Sequence, residues 1–196
     1  MGRGPIPARC REAFYKLRAI RAQLLRGAPC DANWGKMKTQ LFIHRTRIEA
    51  PAAEVYVWHA LPDALEQLTP PGEHVEVLEK TGGIERGARV VMRFGRWPFR
   101  RRWVAEHQDF HAGRYFSDVQ VSGPFAYWRH THTFEPEGPA ACILEDRVEY
   151  ALPFGFLGRW VAGKFVRRKL EKLFEYRHSV TARLIAARRS LPPAQK

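Results

Sequence analysis

The sequence predicts an α+β domain in which a curved, seven-stranded antiparallel sheet wraps a long C-terminal helix, with two short helices after the first strand. Three observations predict it. Between Leu157 and Arg188, the residues Trp160, Val161, Phe165, Leu170, Leu173, Phe174, Val180, Leu184 and Ile185 recur three or four apart, which collects them into one helical stripe. Upstream, short strand-like stretches follow one another, each bounded by Gly or Pro and joined by turns too short for a crossover helix, so consecutive strands pair antiparallel. An apolar stripe of that length needs an apolar surface to lie against, and the sheet supplies it.

The elements follow in order. Residues 1–36 form a separate basic extension: Gly2, Gly4, Pro5 and Pro7 open it, and Arg11 to Arg26 fits a short amphipathic helix bearing Phe14, Leu17, Ile20 and Leu24. This piece is either a docking helix or a dispensable tail; the tail is favoured, and Met37 stands just before the first strand as an alternative start. Thr39 to Ile48 is the first strand. Pro51 and Glu54 mark a helix N-terminus, and Val55, Trp58, Leu61, Leu65 and Leu68 carry helical turns, interrupted at Pro62, up to Thr69-Pro70-Pro71-Gly72. Six strands are then expected at 74–80, 88–94, 101–107, 115–121, 127–134 and 143–151. The domain is expected over residues 37–190, with a short tail at 191–196.

Composition limits the function classes. Net charge is +13, of which residues 1–36 carry +6, so the remainder is only moderately basic. Acidic partners are favoured in general. Three cysteines, Cys10, Cys30 and Cys142, form neither a disulfide framework nor a metal-ligand spacing, and they suit a reducing compartment. No apolar run reaches the roughly 20 residues of a membrane span, and no signal peptide is read, so the cytoplasm is the expected location.

Particular residues carry a resemblance. Arg47-Ile48-Glu49-Ala50-Pro51-Ala52-Ala53-Glu54-Val55-Tyr56 is a strand-to-helix entry; Trp58-His59 and Leu68-Thr69-Pro70-Pro71 follow. Then come Phe125 to Phe134 (FAYWRHTHTF), Leu144 to Tyr150 (LEDRVEY) and Pro153-Phe154-Gly155. In this order they resemble the START-like superfamily, and more narrowly its bacterial SRPBCC members, which include polyketide cyclase/dehydrase and coenzyme Q-binding proteins. The resemblance covers about Thr39 to Ala187. It implies the helix-grip fold and a cavity between sheet and long helix for a hydrophobic small molecule. Trp58, Trp103, Phe116, Trp128, His130, Phe134, Tyr150 and Trp160 are the expected ligand-binding residues. Phe125, Phe154 and Phe156 are further aromatics able to line it. Some relatives are fused to nucleotide-sugar-epimerase-like domains, whereas this chain has no Gly-rich dinucleotide motif.

One constellation carries possible chemistry. Period two places Trp128, His130, His132 and Phe134 on one face, and Leu144, Asp146, Val148 and Tyr150 on one face of the next strand. A hairpin centred near Pro136 to Gly138 sets His130 across from Asp146, on the face toward the helix. His130, His132 and Asp146 are thus the candidate catalytic or ligand-orienting groups. The plainer alternative is a buried His–Asp hydrogen bond that satisfies two polar groups. Two His and one Asp match no metal signature, and no cofactor motif is present. His59, His74, His107 and His111 read as surface or turn residues. Glu145, Arg147 and Glu149 read as a solvent-facing ladder.

Three functions remain open. Binding or carriage of a hydrophobic ligand (lipid, isoprenoid quinone or polyketide-like) leads. A cyclase/dehydratase-type enzyme and an interaction module with a collapsed cavity are the alternatives. Arg100-Arg101-Arg102 beside Trp97 and Trp103, and Arg167-Arg168-Lys169, invite nucleic acid. Their expected places, a hairpin turn and an outer helix face, favour transient contact with an anionic membrane surface instead.

Overall fold

The computed structural model describes residues 38–190, apart from the side chains of residues 157–159. The N-terminal extension, its expected helix, Cys10, Cys30 and the tail at 191–196 lie outside the described residues.

The elements are β1 (Gln40–Ile48), α1 (Ala52–His59), α2 (Ala64–Gln67), β2 (Val75–Thr81), β3 (Arg89–Phe94), β4 (Arg101–His111), β5 (Tyr115–Ser122), β6 (Tyr127–Pro136), β7 (Cys142–Ala151) and α3 (Gly155–Ser190). All seven strands form one antiparallel sheet in the order β1-β7-β6-β5-β4-β3-β2. Register shifts between Val77 and Glu79, at Val104/Ala105 and between His107 and Phe110 break the ladders on β2 and β4. Such bulges bend a strand and raise its twist, which helps the sheet to curl. They also let β4 run on to His111, beyond the expected end at His107.

The chain enters α1 through Ala50 and Pro51, whose φ of −57° and ψ of 142° are extended. Ala50 and Ala52 are buried because the helix must approach the sheet closely there. Tyr56 then meets Phe134 edge to face, with ring centroids 5.6 Å apart.

The long helix is only half covered. With 36 residues it is about 54 Å long, whereas the ten-residue strand β7 spans only about 33 Å. The excess, about 20 Å or roughly 14 residues, lies toward its start, where Ala162 and Val166 still pack against the core but the large apolar side chains do not. Accordingly Trp160, Val161 and Phe165 are exposed, while Leu170, Phe174, His178, Thr181 and Ile185 form the buried stripe. The predicted stripe therefore holds from Leu170 onward and fails before it.

Two apolar clusters fill the interior. Ile48, Val55, Tyr56, Trp58, Leu68, Phe134, Leu144, Val180 and Ile185 pack around α1, while Phe42, Trp128, Val148, Tyr150, Leu170 and Phe174 pack nearer the start of the buried stripe. Between them lies a polar layer contributed by β6, β7 and α3.

Candidate functional site: a buried imidazole–carboxylate layer beside an apolar cavity

Alternation on β6 and β7 builds the layer. The inward residues of β6 are Trp128, His130, His132 and Phe134, and those of β7 are Leu144, Asp146, Val148 and Tyr150. The register differs from expectation. Pro136 pairs with Cys142, so the turn runs through 137–141, and Asp146 faces His132 while His130 faces Val148. The expected centre was too early because β6 pairs as far as Pro136 and the turn closes only by the Glu137 N–H donating to the Ala141 carbonyl. His130 reaches Asp146 diagonally, at a spacing that a long side chain spans within a sheet.

Asp146 is fully buried and takes contacts from three imidazoles. His130 Nε2 lies 2.8 Å from Oδ1, and His178 Nε2, arriving from α3, lies 2.6 Å from Oδ2. His132 Nδ1 stands 2.6 Å from Oδ1 but out of line for a hydrogen bond. On its other side His130 Nδ1 lies 3.4 Å from Oδ2 of Asp118, which β5 places directly opposite it. Six of the eight histidines (His44, His59, His107, His130, His132 and His178) belong to this region. The His44 and His178 rings are 4.5 Å apart and those of His130 and His132 are 4.0 Å apart.

The surroundings push these groups apart electrically. Burial works against a charged His130, yet hydrogen bonds to Asp118 and Asp146 and the charges of both outweigh it, raising its pKa to about 9. Burial lowers His132 to about 4, helped by the charge of His130 next to it. Burial likewise lowers His59 to about 3, with His132 adding to the effect and the Val55 carbonyl opposing it. Asp146 is held well below the usual carboxylate range: burial alone would raise it, but His132, His130 and His178 together prevail. Asp118 is lowered too, its bond to His130 overcoming burial. At neutral pH the layer therefore holds a cationic His130 between two carboxylates, with a neutral His132 beside it.

This layer forms one wall of a half-enclosed cavity of about 570 Å³ between sheet and α3. Asp118, His130, His132, His107 and Arg177 line it on the polar side. Leu65, Leu68, Val90, Met92, Trp103, Phe116, Trp128, Leu173 and Phe174 are among its apolar walls. At the rim Lys169 Nζ on α3 meets Glu73 at 3.2 Å.

Of the residues expected to bind a ligand, Trp103, Phe116, Trp128 and His130 meet at the cavity. Trp58, Phe134 and Tyr150 do not; they are packed within the two apolar clusters. Trp160 does not either, being 77% exposed near the start of α3; Phe156 on the same helix and Phe154 just before it are exposed too. Of the three candidate catalytic residues, His130 and His132 line the cavity, while Asp146 sits behind them and holds them. His59 and His107 are not surface residues: α1 turns His59 into the core, and β4 turns His107 to the cavity.

Asp118, Arg177 and His178 went unnoticed in the sequence. Asp118 shares a strand face with Phe116, two residues on. His178 falls four residues after Phe174 and eight after Leu170, a polar break in the helical stripe. Both are signals that periodicity offers once the strand pairing is known. Asp118, His130 and His132 also offer ligand atoms within 4.8 Å of one another. While His130 is protonated, both of its ring nitrogens carry protons toward Asp146 and Asp118 and offer no lone pair to an ion.

Residues 48–175 match the family model described as "Polyketide cyclase / dehydrase and lipid transport". Among solved structures the chain is similar to norcoclaurine synthase from Thalictrum flavum, with a TM-score of 0.63 at 14% identity over 78% of this chain and 98% of that one. It is also similar to an aromatase/cyclase from Streptomyces sp. R1128, with a TM-score of 0.56 at 18% identity over 81% and 100%. A START superfamily protein from Mycobacterium smegmatis gives a TM-score of 0.57 at 11% identity over 75% and 97%. At these identities the likeness establishes the fold. No curated protein sequence matches the chain.

Proposed function

The chain belongs to the polyketide cyclase/dehydrase and lipid transport family, and from that premise we propose that it binds and carries a hydrophobic small molecule (lipid, isoprenoid quinone or polyketide-like) between the sheet and α3. The cavity carries this reading. Its volume of about 570 Å³ lies within the roughly 300–1,000 Å³ usual for small-molecule sites, and an apolar wall with a few convergent polar groups is the usual lining. Native mass spectrometry of protein purified from its own host should show a co-purifying apolar ligand; repeated empty spectra count against the reading. A Val90→Trp variant, which fills the cavity, should keep its fold by circular dichroism and lose binding of a neutral fluorescent probe. Unchanged binding would sink the assignment of the site.

A carrier of apolar cargo must meet a bilayer, and one end of the molecule supports contact with an anionic surface. Register puts the β3–β4 turn, the β5–β6 turn and the entry to α3 at the same end of the sheet, through the pairs Phe94–Arg101, Val104–Ser122 and Tyr127–Ala151. Trp97, Phe99, Phe154, Phe156, Trp160 and Phe165 are exposed there. Arg96, Arg100, Arg101, Arg102, Lys164, Arg167 and Arg168 are exposed among them. Aromatics for the interface and cations for its lipids form a membrane-surface composition. Co-sedimentation with vesicles should be strong with phosphatidylglycerol, weak with pure phosphatidylcholine, and reduced by Trp97→Ala with Phe99→Ala. Equal binding to both vesicle types refutes it.

A second reading, proton transfer of the cyclase or dehydratase type, is favoured by one observation. A cationic His130 and a neutral His132 stand side by side on the cavity wall, an acid and a base held apart in pKa by their surroundings. Under it, a bound 1,3-diketone should exchange its central hydrogens for deuterium faster than in buffer, and His132→Ala should abolish the gain. No gain in the unaltered protein refutes it.

A further inference from the structure

We infer that the molecule held in the cavity carries an anionic oxygen head group, of carboxylate, enolate or phenolate type, and that Arg177 binds it; this rests on the reading that the cavity holds an apolar molecule. Arg177 lies on α3 and lines the cavity. Its Nε is buried without a hydrogen-bond partner. Among the described residues, the ion pairs made by α3 are Arg167–Glu171, Lys169–Glu73, His178–Asp146 and Arg189–Glu54, and they leave Arg177 out. Its guanidinium stands instead over the Phe174 ring, 5.6 Å from the centroid.

The two carboxylates of the layer favour its charge through space but form no ion pair with it. Asp146 is engaged by His130 and His178, and Asp118 by His130. A guanidinium stays charged in any protein and presents N–H donors in a planar fork. In an empty cavity water can solvate that fork. A wholly apolar ligand would expel the water and leave a buried charge with nothing in its place, which is costly. A ligand whose oxygens replace the water recovers charge-assisted hydrogen bonds, bidentate where the head is a carboxylate. His107 adds a second orphan to the same lining, since its Nδ1 is also buried without a partner. The apolar walls take the body of the ligand and Arg177 sets its direction.

The test is displacement of the neutral probe N-phenyl-1-naphthylamine by dodecanoate and by methyl dodecanoate at pH 8, in the full chain. The two share a tail and differ in charge at the head. Dodecanoate should bind about ten- to a hundredfold tighter, the range that a charged hydrogen bond supports. Arg177→Gln should bring the acid down to the affinity of the ester and leave the ester nearly unchanged. Arg177→Lys, which keeps the charge without the fork, should retain part of the preference and guards against misfolding of the first variant. Equal binding of acid and ester in the unaltered protein overturns the assignment of Arg177 and leaves the carrier reading standing. Failure of probe, acid and ester to bind at all overturns both.

Discussion

Asp146→Asn tests whether the buried layer holds the two halves of the interior together. The carboxylate accepts through both oxygens, from His130 at 2.8 Å on one and His178 at 2.6 Å on the other. An amide has one acceptor oxygen, so it can satisfy one imidazole and must present its NH2 to the other. At least one charge-assisted hydrogen bond is lost, about 1.5–3 kcal/mol. The negative charge that balances His130 goes as well, leaving it only Asp118 at 3.4 Å. Removing one member of a buried charged pair costs about 3–5 kcal/mol, and that is the loss expected here. For a chain of this size each kcal/mol lowers Tm by about 2–4 °C, so the drop should be about 6–20 °C. Guanidinium unfolding followed by tryptophan fluorescence, with scanning calorimetry beside it, measures both. Glu145→Gln is the control: it sits next door on the outer face, 3.2 Å from an exposed Arg45, and should cost under about 1 kcal/mol. A loss below about 1 kcal/mol for Asp146→Asn as well would refute the view that this carboxylate organises the layer.

Three further outcomes are expected. Leu170→Ala should cost about 2–5 kcal/mol and Trp160→Ala under about 0.5 kcal/mol, because only the first is on the covered part of α3; similar losses by urea melts would contradict that partial cover. His59, facing His132 and, further off, Asp146 and His178, stays neutral in the fold down to about pH 3, whereas the unfolded chain takes up its proton below about pH 6.5. The unfolded state thus binds more protons between those limits, and stability falls with falling pH by up to about 1.4 kcal/mol per unit from this group. His59→Phe should flatten that limb, and parallel curves for the two proteins at pH 7, 5.5 and 4.5 would be the contrary result. A chain starting at Met37 should keep its melting temperature, since residues 38–190 contain the seven described strands and α3; a loss of several degrees would assign the extension a stabilising role.

Much of the fold was legible because it depends on local patterns. Gly and Pro punctuation gave seven strands, and short turns made them antiparallel. Alternation alone turned Trp128, His130, His132 and Phe134 inward, together with Asp146. Pattern also showed a long terminal helix, but not which part is covered: that follows from the mismatch between a 1.5 Å rise per residue and the extent of the sheet beneath. The same limit explains Trp160, whose place in the stripe is right and whose burial was not.

The sequence by itself determined the elements, their order and the alternation that turns the residues of β6 and β7 inward, since these follow from backbone periodicity over a few residues. Only the tertiary structure decided which residues meet. A turn two residues longer than its Pro-Gly core moved His132, rather than His130, opposite Asp146. Asp118 from β5 and His178 from α3 joined them from a different strand and from the terminal helix. Arg177, one more cation on a basic helix when read in sequence, became a half-buried guanidinium whose Nε has no hydrogen-bond partner beside an apolar cavity. Periodicity is a property of neighbours in the chain, whereas charge pairing and cavity walls are properties of neighbours in space.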